Sequence, residues 1–467
     1  MTRIGSLVAS VVVALASIGV VQARQHTSPF DAIVESARLE LQETRTPGAA
    51  LALVEGDRVV FSAGVGVADV ETGTPIRPEM VFRLGSTTKM FTAAALVTLA
   101  NEGRLSLDAP IALVLDGVDP AIGRLTANQL LSHTAGLRDE APMFGKHDDE
   151  ALGNGVRAMK ADMMFTDPAS IYSYSNPGYW IAGFVVEQVA GKPYADAMQE
   201  RVFAPLGMTR STFRPIMAMT YAIAQGHDAS GNQPAAVIRP AANNAATWPA
   251  GSMFSNVHDL SRFVIAFMNG GKVDGREALK PGVIAKLVEP HATIPGGTDS
   301  YGYGLQVAQR AGLTLVTHGG SRAGYGSTIM MVPSRRVAVI VLGNRSGSSL
   351  PRTAHRALET LLHVPEGALV APTPATELKG GAGSNELGAW AGRYSQGIGN
   401  VIEIVVSGQG LLVRNAGREL PARPQGQFRL LVGGVDGNPA NSVVLVPNRE
   451  GRPAYVFTGG RAFRRLP

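Results

Sequence analysis

Leu84-Gly85-Ser86-Thr87-Thr88-Lys89-Met90 leads into the almost wholly apolar run Phe91–Ala100. A helix without a polar face is buried in the core of a large domain. We therefore expect Ser86 to open a central helix, with Lys89 on the same face at i+3 spacing. A serine hydroxyl needs a base before it becomes a good nucleophile, and a desolvated lysine can serve as that base or assist it. The alternative is that Ser86 only caps the helix N-terminus.

Composition limits the possible classes of protein. The chain has 467 residues, too many for one ordinary core, and 45% hydrophobic with 17% charged residues indicates a globular protein. The absence of cysteine excludes disulfides, thiolate metal sites and a cysteine nucleophile. A net charge of +5 is modest, and we interpret the cluster Arg461, Arg464 and Arg465 as a solvated basic face. Nucleic-acid binding is not expected.

The N-terminus has the pattern of an export signal. Arg3 precedes an apolar stretch from Ile4 to Val21, and Val21-Gln22-Ala23 resembles a signal-peptidase site. The prediction is a signal peptide over residues 1–23 and a periplasmic or secreted protein. An uncleaved membrane anchor is the alternative, and no later segment is long and apolar enough to span a bilayer.

The remaining pattern predicts two folded parts. Residues 24–365 begin with a helix and a hairpin around Glu55-Gly56-Asp57, continue with helices, and return to strands after Thr314. This order predicts an α+β domain whose antiparallel sheet is closed by both chain ends and flanked by helices. Residues 366–385, rich in Pro, Gly and Ala, are predicted to be a linker. Residues 386–467 alternate short strands with turns and predict a small all-β domain, barrel-like or a sandwich.

Two later stretches carry chemistry. In Tyr172-Ser173-Tyr174-Ser175-Asn176-Pro177-Gly178, Tyr174 is placed on a loop at a helix start, where it can shuttle a proton, and Asn176 can hold a substrate amide. Tyr172 is interpreted as a packing residue. In His318-Gly319-Gly320-Ser321, glycines allow a substrate backbone to lie close to the strand, and the Ser321 amide can help to stabilise an oxyanion.

Ser86-x-x-Lys89, Tyr174-x-Asn176 and His318-Gly319-Gly320, in this order, resemble the three motifs of the serine β-lactamase and penicillin-binding-protein superfamily. The likeness is greatest to the class C β-lactamase-related hydrolases, and the C-terminal part resembles the lipocalin-like domain of some members. The resemblance implies a β-lactamase/transpeptidase-like fold.

The resemblance also implies a role for each matching residue. Ser86 matches the nucleophile that forms an acyl-enzyme, Lys89 the lysine that assists its deprotonation, and Tyr174 the general base and acid. Asn176 matches the contact with the substrate amide. The third motif, with His318, Gly319, Gly320 and Ser321, matches the strand that binds substrate, and the amides of Ser86 and Ser321 match the oxyanion hole.

One departure from the family concerns substrate charge. Many members have a lysine at the position of His318, where its positive charge helps to bind the substrate carboxylate. A histidine with an ordinary pKa near 6.5 is mostly neutral at pH 7.5. Carboxylate recognition is therefore expected to be weaker or pH-dependent unless Arg322 substitutes, and members with histidine here resemble esterases and D-amino-acid peptidases.

The leading hypothesis is thus an exported serine hydrolase acting on esters or D-amino-acid amides and peptides. The alternatives are a class C-type β-lactamase or penicillin-binding protein, and a non-catalytic binding or sensing homologue. We expect no cofactor and no metal site, and the partner is a small-molecule or peptide substrate. The sequence does not indicate the oligomeric state.

Overall fold

A computed structural model describes the protein over residues 28–229, 233–371, 388–397, 399–408, 410–425, 428–433 and 441–467. The signal segment predicted at 1–23 lies outside these residues, as does the 372–385 portion of the predicted linker. Within the described part, none of the helices combines the length and the apolar character needed to cross a bilayer.

The secondary structure is as follows. The α-helices are α1 Pro29–Thr44, α2 Thr88–Asn101, α3 Pro120–Gly123, α4 Ala127–Leu131, α5 Ala151–Ala158, α6 Asn176–Ala190, α7 Tyr194–Met198, α8 Ala204–Leu206, α9 Pro215–Ala218, α10 Trp248–Gly251, α11 Val257–Met268, α12 Pro281–Val288 and α13 Pro351–Leu362. The strands are β1 Gly48–Glu55, β2 Arg58–Asp69, β3 Thr74–Pro75, β4 Phe82–Arg83, β5 His227–Asp228, β6 Ala236–Val237, β7 Phe254–Ser255, β8 Lys272–Val273, β9 Arg276–Glu277, β10 Ala292–Thr293, β11 Ser300–Tyr301, β12 Gln306–Arg310, β13 Leu313–Arg322, β14 Tyr325–Val332, β15 Val337–Gly343, β16 Gly392–Gly397, β17 Asn400–Ser407, β18 Gly410–Asn415, β19 Arg418–Pro424, β20 Arg429–Val432, β21 Asn441–Pro447, β22 Pro453–Thr458 and β23 Arg461–Arg465.

The central sheet joins the two ends of the first domain, as predicted. Its strand order is β10-β11-β12-β13-β14-β15-β1-β2-β3, and β1 pairs antiparallel with β15, placing Leu51 opposite Val341. Both faces of β1 are buried, which explains its nearly continuous apolar sequence. The antiparallel sheet flanked by helices is therefore confirmed.

Helices cover both faces of this sheet. Leu51 belongs to one buried cluster with Ile33 of α1 and Ala354 of α13. Ala52 points to the opposite face, where the core includes α2, α6 and α11. The apolar helix predicted after Ser86 is α2, and its Phe91 ring lies 4.3 Å from the Phe263 ring of α11. This helix is a fixed central element because its side chains are packed on all sides.

The C-terminal part is a closed barrel of eight strands, β16 to β23 in sequence order. Its core includes Tyr394, Ile404, Val456 and Phe463, which are at most 5% exposed. The predicted all-β domain is confirmed in its barrel form. The sequence pattern predicts strands at residues 401–406, 411–413, 428–432, 442–446 and 454–458, which correspond to β17, β18, β20, β21 and β22. It misses β16, β19 and β23, because their sequences are rich in Arg, Gly or Pro and show only a few inward-facing apolar residues.

Two glycines let strand β13 lie against the turn that carries Ser86. Gly85 has φ +63°, and a Cβ there would be 2.6 Å from the Ser321 amide nitrogen. A Cβ on Gly320 would be 2.0 Å from the Leu84 carbonyl oxygen. These distances are too short for any side chain, so both glycines are needed for the close approach of β13.

Gly320→Ala is predicted to destabilise the protein by about 1–3 kcal/mol, because the added methyl group must push β13 away from Leu84. Gly319→Ala is the matched control, since the nearest atom to its Cβ would be the Ser327 carbonyl oxygen at 3.8 Å. The free energy of unfolding in urea measures both. Equal stability of the two variants would contradict this account of the packing.

Candidate active site

Ser86 lies in a short 3-10 turn, Gly85–Thr87, and α2 begins only at Thr88. The expectation that Ser86 opens the helix is therefore wrong by two residues, because the chain forms a 3-10 turn before the α-helix starts. No side-chain cap bond is present at the start of either element, so the capping alternative has no support. The Ser86 hydroxyl instead lies 3.4 Å from the Nζ of Lys89, as the spacing predicted.

Lys89 is fully buried, and none of the described carboxylates contacts it directly. Its Nζ donates to the Asn176 Oδ1 and to the Ala250 carbonyl, both at 2.7 Å. Burial lowers the pKa of Lys89 to about 7, although the charge of Asp139 acts in the opposite direction. A neutral amine has two protons and one lone pair. Since Asn176 and Ala250 accept the two protons, the lone pair is available to the Ser86 hydroxyl.

Tyr174 lies on the loop before α6, as predicted, and hydrogen-bonds Ser86. Burial raises the pKa of Tyr174, while the bond with Ser86 acts to lower it, so the resting side chain is a neutral phenol. The His133 ring packs 4.2 Å from the Tyr174 ring, and His133 Nδ1 accepts from the Ser175 amide. His133 therefore has a structural role, because it accepts a backbone hydrogen bond and packs against the tyrosine ring.

Asn176 is held by an acidic residue that sequence reasoning missed. Asp139 Oδ1 accepts from the backbone amide of Asn176 at 2.8 Å and from its Nδ2 at 3.0 Å. These bonds fix the amide orientation, so that Oδ1 faces Lys89. Asn176 therefore positions Lys89, and its contact with a substrate amide stays a prediction.

The C-terminal barrel reaches this network. Arg461 at the start of β23 donates to the other oxygen of Asp139 from Nε at 2.9 Å and from Nη2 at 2.6 Å. Its guanidinium carbon lies 5.1 Å from the centre of the Tyr174 ring. The interpretation of Arg461 as part of a solvated basic face is wrong, because its partner lies more than 300 residues away in sequence and no local pattern shows it.

Further contacts fix the barrel to the Tyr174 loop. The Tyr174 amide donates to the Gly460 carbonyl at 2.9 Å, and the Ser173 hydroxyl accepts from the Ala462 amide and the Gln396 Nε2, both at 3.1 Å. Tyr172, a packing residue as predicted, joins an apolar cluster with Phe457 of the barrel. The barrel therefore determines the geometry of the loop that carries Tyr174.

His318 is buried in β13 and does not act as a charged group. Its Nδ1 donates to the Gly319 carbonyl at 2.6 Å, and its Nε2 accepts from the Tyr301 hydroxyl at 2.9 Å. Burial, together with the charge of Lys89, lowers the pKa of His318 to about 3. The histidine is thus neutral at physiological pH, and the expectation of pH-dependent carboxylate recognition through this residue does not hold.

A cleft of about 400 Å³ brings the three motifs together. Ser86, Asn176 and Ser321 line it, so the two amides predicted to form an oxyanion hole belong to residues of one cleft. Gly319 and Gly320 precede Ser321 in β13, which forms one wall. The other lining residues include Trp180, Thr247, Ala250, Gly251 and Arg322. This arrangement can hold an acyl compound against Ser86.

Comparisons with known proteins agree with this geometry. A family profile described as Beta-lactamase matches residues 24–362. The chain belongs to the beta-lactamase family. This beta-lactamase-family protein is 29% identical over 331 residues to "Penicillin-binding protein 4" of Amycolatopsis lactamdurans, covering 68% of this chain and 86% of the relative. It is 27% identical over 351 residues to "D-aminopeptidase" of Gluconobacter oxydans, covering 71% of this chain and 63% of that relative.

Solved structures extend the likeness to the barrel. The crystal structure of SurE aligns with a TM-score of 0.75 and 22% identity over 94% of the beta-lactamase-family protein and 99% of SurE. The class C beta-lactamase of Rhodobacter sphaeroides aligns with a TM-score of 0.58 and 23% identity over 71% of this chain and 99% of that one. Both structural alignments show that this chain shares the fold of the aligned protein.

Lys89 is predicted to titrate near pH 7 rather than near its ordinary pKa of 10.5, because its burial disfavours the ammonium. Selective ¹⁵N labelling of lysine, with Lys89→Met to assign the signal, measures this pKa by NMR. A pKa above 9 would contradict the account in which burial of Lys89 disfavours its charged form.

Arg461→Met is predicted to raise the pKa of Lys89, because the variant removes a positive charge and leaves the Asp139 charge uncompensated. Arg461→Lys retains a cation and is the matched control, so its effect should be smaller. The same NMR titration measures both variants. An unchanged Lys89 pKa in Arg461→Met would show that the barrel has no electrostatic influence on the site.

Proposed function

We propose that the protein is an exported serine hydrolase that forms an acyl-enzyme on Ser86. The observation that carries this proposal is the contact between the Ser86 hydroxyl and a buried lysine whose pKa is lowered to about 7. A serine within reach of a neutral amine can lose its proton during attack on a carbonyl. Membership of a family whose members are serine hydrolases supports the same conclusion.

The proposed reaction uses the two proton-bearing groups beside Ser86. The Ser86 Oγ attacks the substrate carbonyl, and its proton passes to neutral Lys89. The amides of Ser86 and Ser321 stabilise the oxyanion. The Tyr174 phenol, whose pKa is raised by burial, gives its proton to the leaving group and regains one from Lys89. Water then attacks the acyl-enzyme by the same route and releases the acid.

Esters and D-amino-acid amides or peptides are the proposed substrates. Among the relatives are proteins described as "D-aminopeptidase" and as a D-amino acid amidase from Ochrobactrum anthropi complexed with D-phenylalanine. Neutral His318 lacks the positive charge that other members place at this position, which argues against efficient β-lactam turnover. The export signal predicted over residues 1–23 places this activity in the periplasm or outside the cell.

The test is covalent capture of the acyl group. After brief mixing with 4-nitrophenyl acetate, the intact mass of the wild-type protein should rise by one acetyl group, because attack by Ser86 on this activated ester leaves the acetyl group on the serine oxygen. Ser86→Ala should show no adduct and no turnover.

Ser346→Ala is the matched control, because Ser346 lines the same cleft without a lysine partner and its hydroxyl accepts from the Gly324 amide. Its adduct should match that of the wild type. Equal hydrolysis by Ser86→Ala and wild type would refute the proposed nucleophile, whereas no hydrolysis by the wild type above the uncatalysed rate would favour the non-catalytic homologue.

A further inference from the structure

Four consecutive apolar residues are exposed beside the cleft. They have the sequence Ala141-Pro142-Met143-Phe144, and we call this segment the apolar loop. Met143 is 48% exposed and Phe144 is 55% exposed. Such a run of exposed apolar residues normally marks a surface that binds something, because water solvates it poorly. The first three residues of the loop line the same cleft as Ser86.

The apolar loop is held in one position by a neighbouring asparagine. Asn244 is 6% exposed, and its Nδ2 donates to the Pro142 and Phe144 carbonyls, both at 3.4 Å. The amide of Gly145, which follows the loop, donates to the Asn243 carbonyl at 3.1 Å. All of these bonds on the loop side use backbone groups, so they fix the loop without engaging its side chains. The apolar surface is therefore formed before a ligand binds, which reduces the ordering cost of binding.

Trp180 continues this apolar surface toward the nucleophile. It lies one helical turn after Asn176 in α6, so the two side chains share one face of the helix. Asn176 accepts from the Nζ of Lys89 at 2.7 Å, and this Nζ lies 3.4 Å from the Ser86 hydroxyl. Trp180 and the apolar loop line one cleft with Ser86. A substrate group that extends from Ser86 past Trp180 therefore reaches the apolar loop.

The rest of the cleft offers no comparable apolar contact. Among the described lining residues, every apolar side chain larger than alanine belongs to the apolar loop or to Trp180. Polar groups come from other elements, among them Asp228 of β5 and Ser321 of β13. A negatively charged group close to Lys89 would favour the ammonium form of the lysine, which cannot act as a base. The group that lies against Trp180 should therefore be apolar.

We propose that the apolar loop and Trp180 bind an apolar group of the substrate, so that the enzyme prefers esters and amides with such a group close to the scissile bond. Met143 determines this specificity, because its flexible side chain adapts to apolar groups of different shape. The cleft volume of about 400 Å³ is in the range of small-molecule sites. This inference rests on the proposed function, because it places the apolar group relative to Ser86 as nucleophile.

The test uses two isomeric thioesters that carry the same four added methylenes on opposite sides of the scissile bond. S-ethyl thiohexanoate has them on the acyl side, S-hexyl thioacetate has them on the leaving-group side, and S-ethyl thioacetate is the reference without them. The chain contains no cysteine, so a thiol reagent measures only the released thiol. Complete burial of one methylene is worth about fourfold in affinity. For partial burial of four, we expect kcat/KM, normalised to the rate with hydroxide, to exceed the reference at least about tenfold for one isomer, which identifies the side that is bound.

Met143→Ser should lower this ratio at least about threefold, because the added chain loses its apolar contact. It should leave kcat/KM of the reference unchanged, since the reference lacks that chain. Met217→Ser is the matched control, because Met217 is 47% exposed on α9 and is not one of the residues that line the cleft. A ratio below tenfold for both isomers in the wild type, a smaller decrease in Met143→Ser, or an equal decrease in Met217→Ser would overturn the proposal.

Absence of turnover of all three thioesters would count against the proposed function, and the apolar surface would then be tested by binding alone. Saturation-transfer NMR measures contact between the Ser86→Ala variant and the two uncleaved isomers. The added methylenes of one isomer should receive saturation. Ser86→Ala/Met143→Ser should weaken this transfer, whereas Ser86→Ala/Met217→Ser should not. No transfer to either isomer, or equal transfer in the two double variants, would overturn the proposal.

Discussion

The burial of Lys89, which no carboxylate in the described part of the chain contacts, is the constraint on which the rest of the site depends. Lowering the pKa of Lys89 from 10.5 to about 7 means that burial disfavours its charged form by roughly 5 kcal/mol. That preference survives the attraction of Asp139 because the carboxylate is directed away, toward Asn176 and Arg461. Desolvation therefore changes the pKa of Lys89 more than the charge of Asp139 does. As a result, the amine next to Ser86 is available as a base.

The surrounding fold keeps this arrangement fixed. Helix α2, packed on all sides, holds Lys89, while α6 and α10 supply the two acceptors of its protons, Asn176 and Ala250. Glycines 85 and 320 bring β13 against the serine turn. The barrel adds Arg461, which neutralises Asp139. The appended domain is thus part of the site's electrostatics, since without its cation Asp139 would favour the ammonium form of Lys89.

The sequence predicted the parts of the site that local spacing specifies. Ser86 and Lys89 are three residues apart in sequence, and Tyr174 and Asn176 are two residues apart, so short motifs were sufficient. Asp139 and Arg461 were not predicted, because an ion pair between residues 322 positions apart leaves no local pattern. In the barrel, strands with β-branched residues were found, whereas charged strands such as β23 were not.

The pH dependence of Ser86 acylation tests the central claim most directly. Rapid-quench mass spectrometry would give the acylation rate with a neutral activated ester between pH 5 and 9, where His318 stays neutral. If Lys89 must be uncharged to accept the serine proton, the rate should rise with pH and level off above an inflection near pH 7. A rate that is flat across this range, or one that still rises at pH 9, would contradict activation of Ser86 by a neutral Lys89.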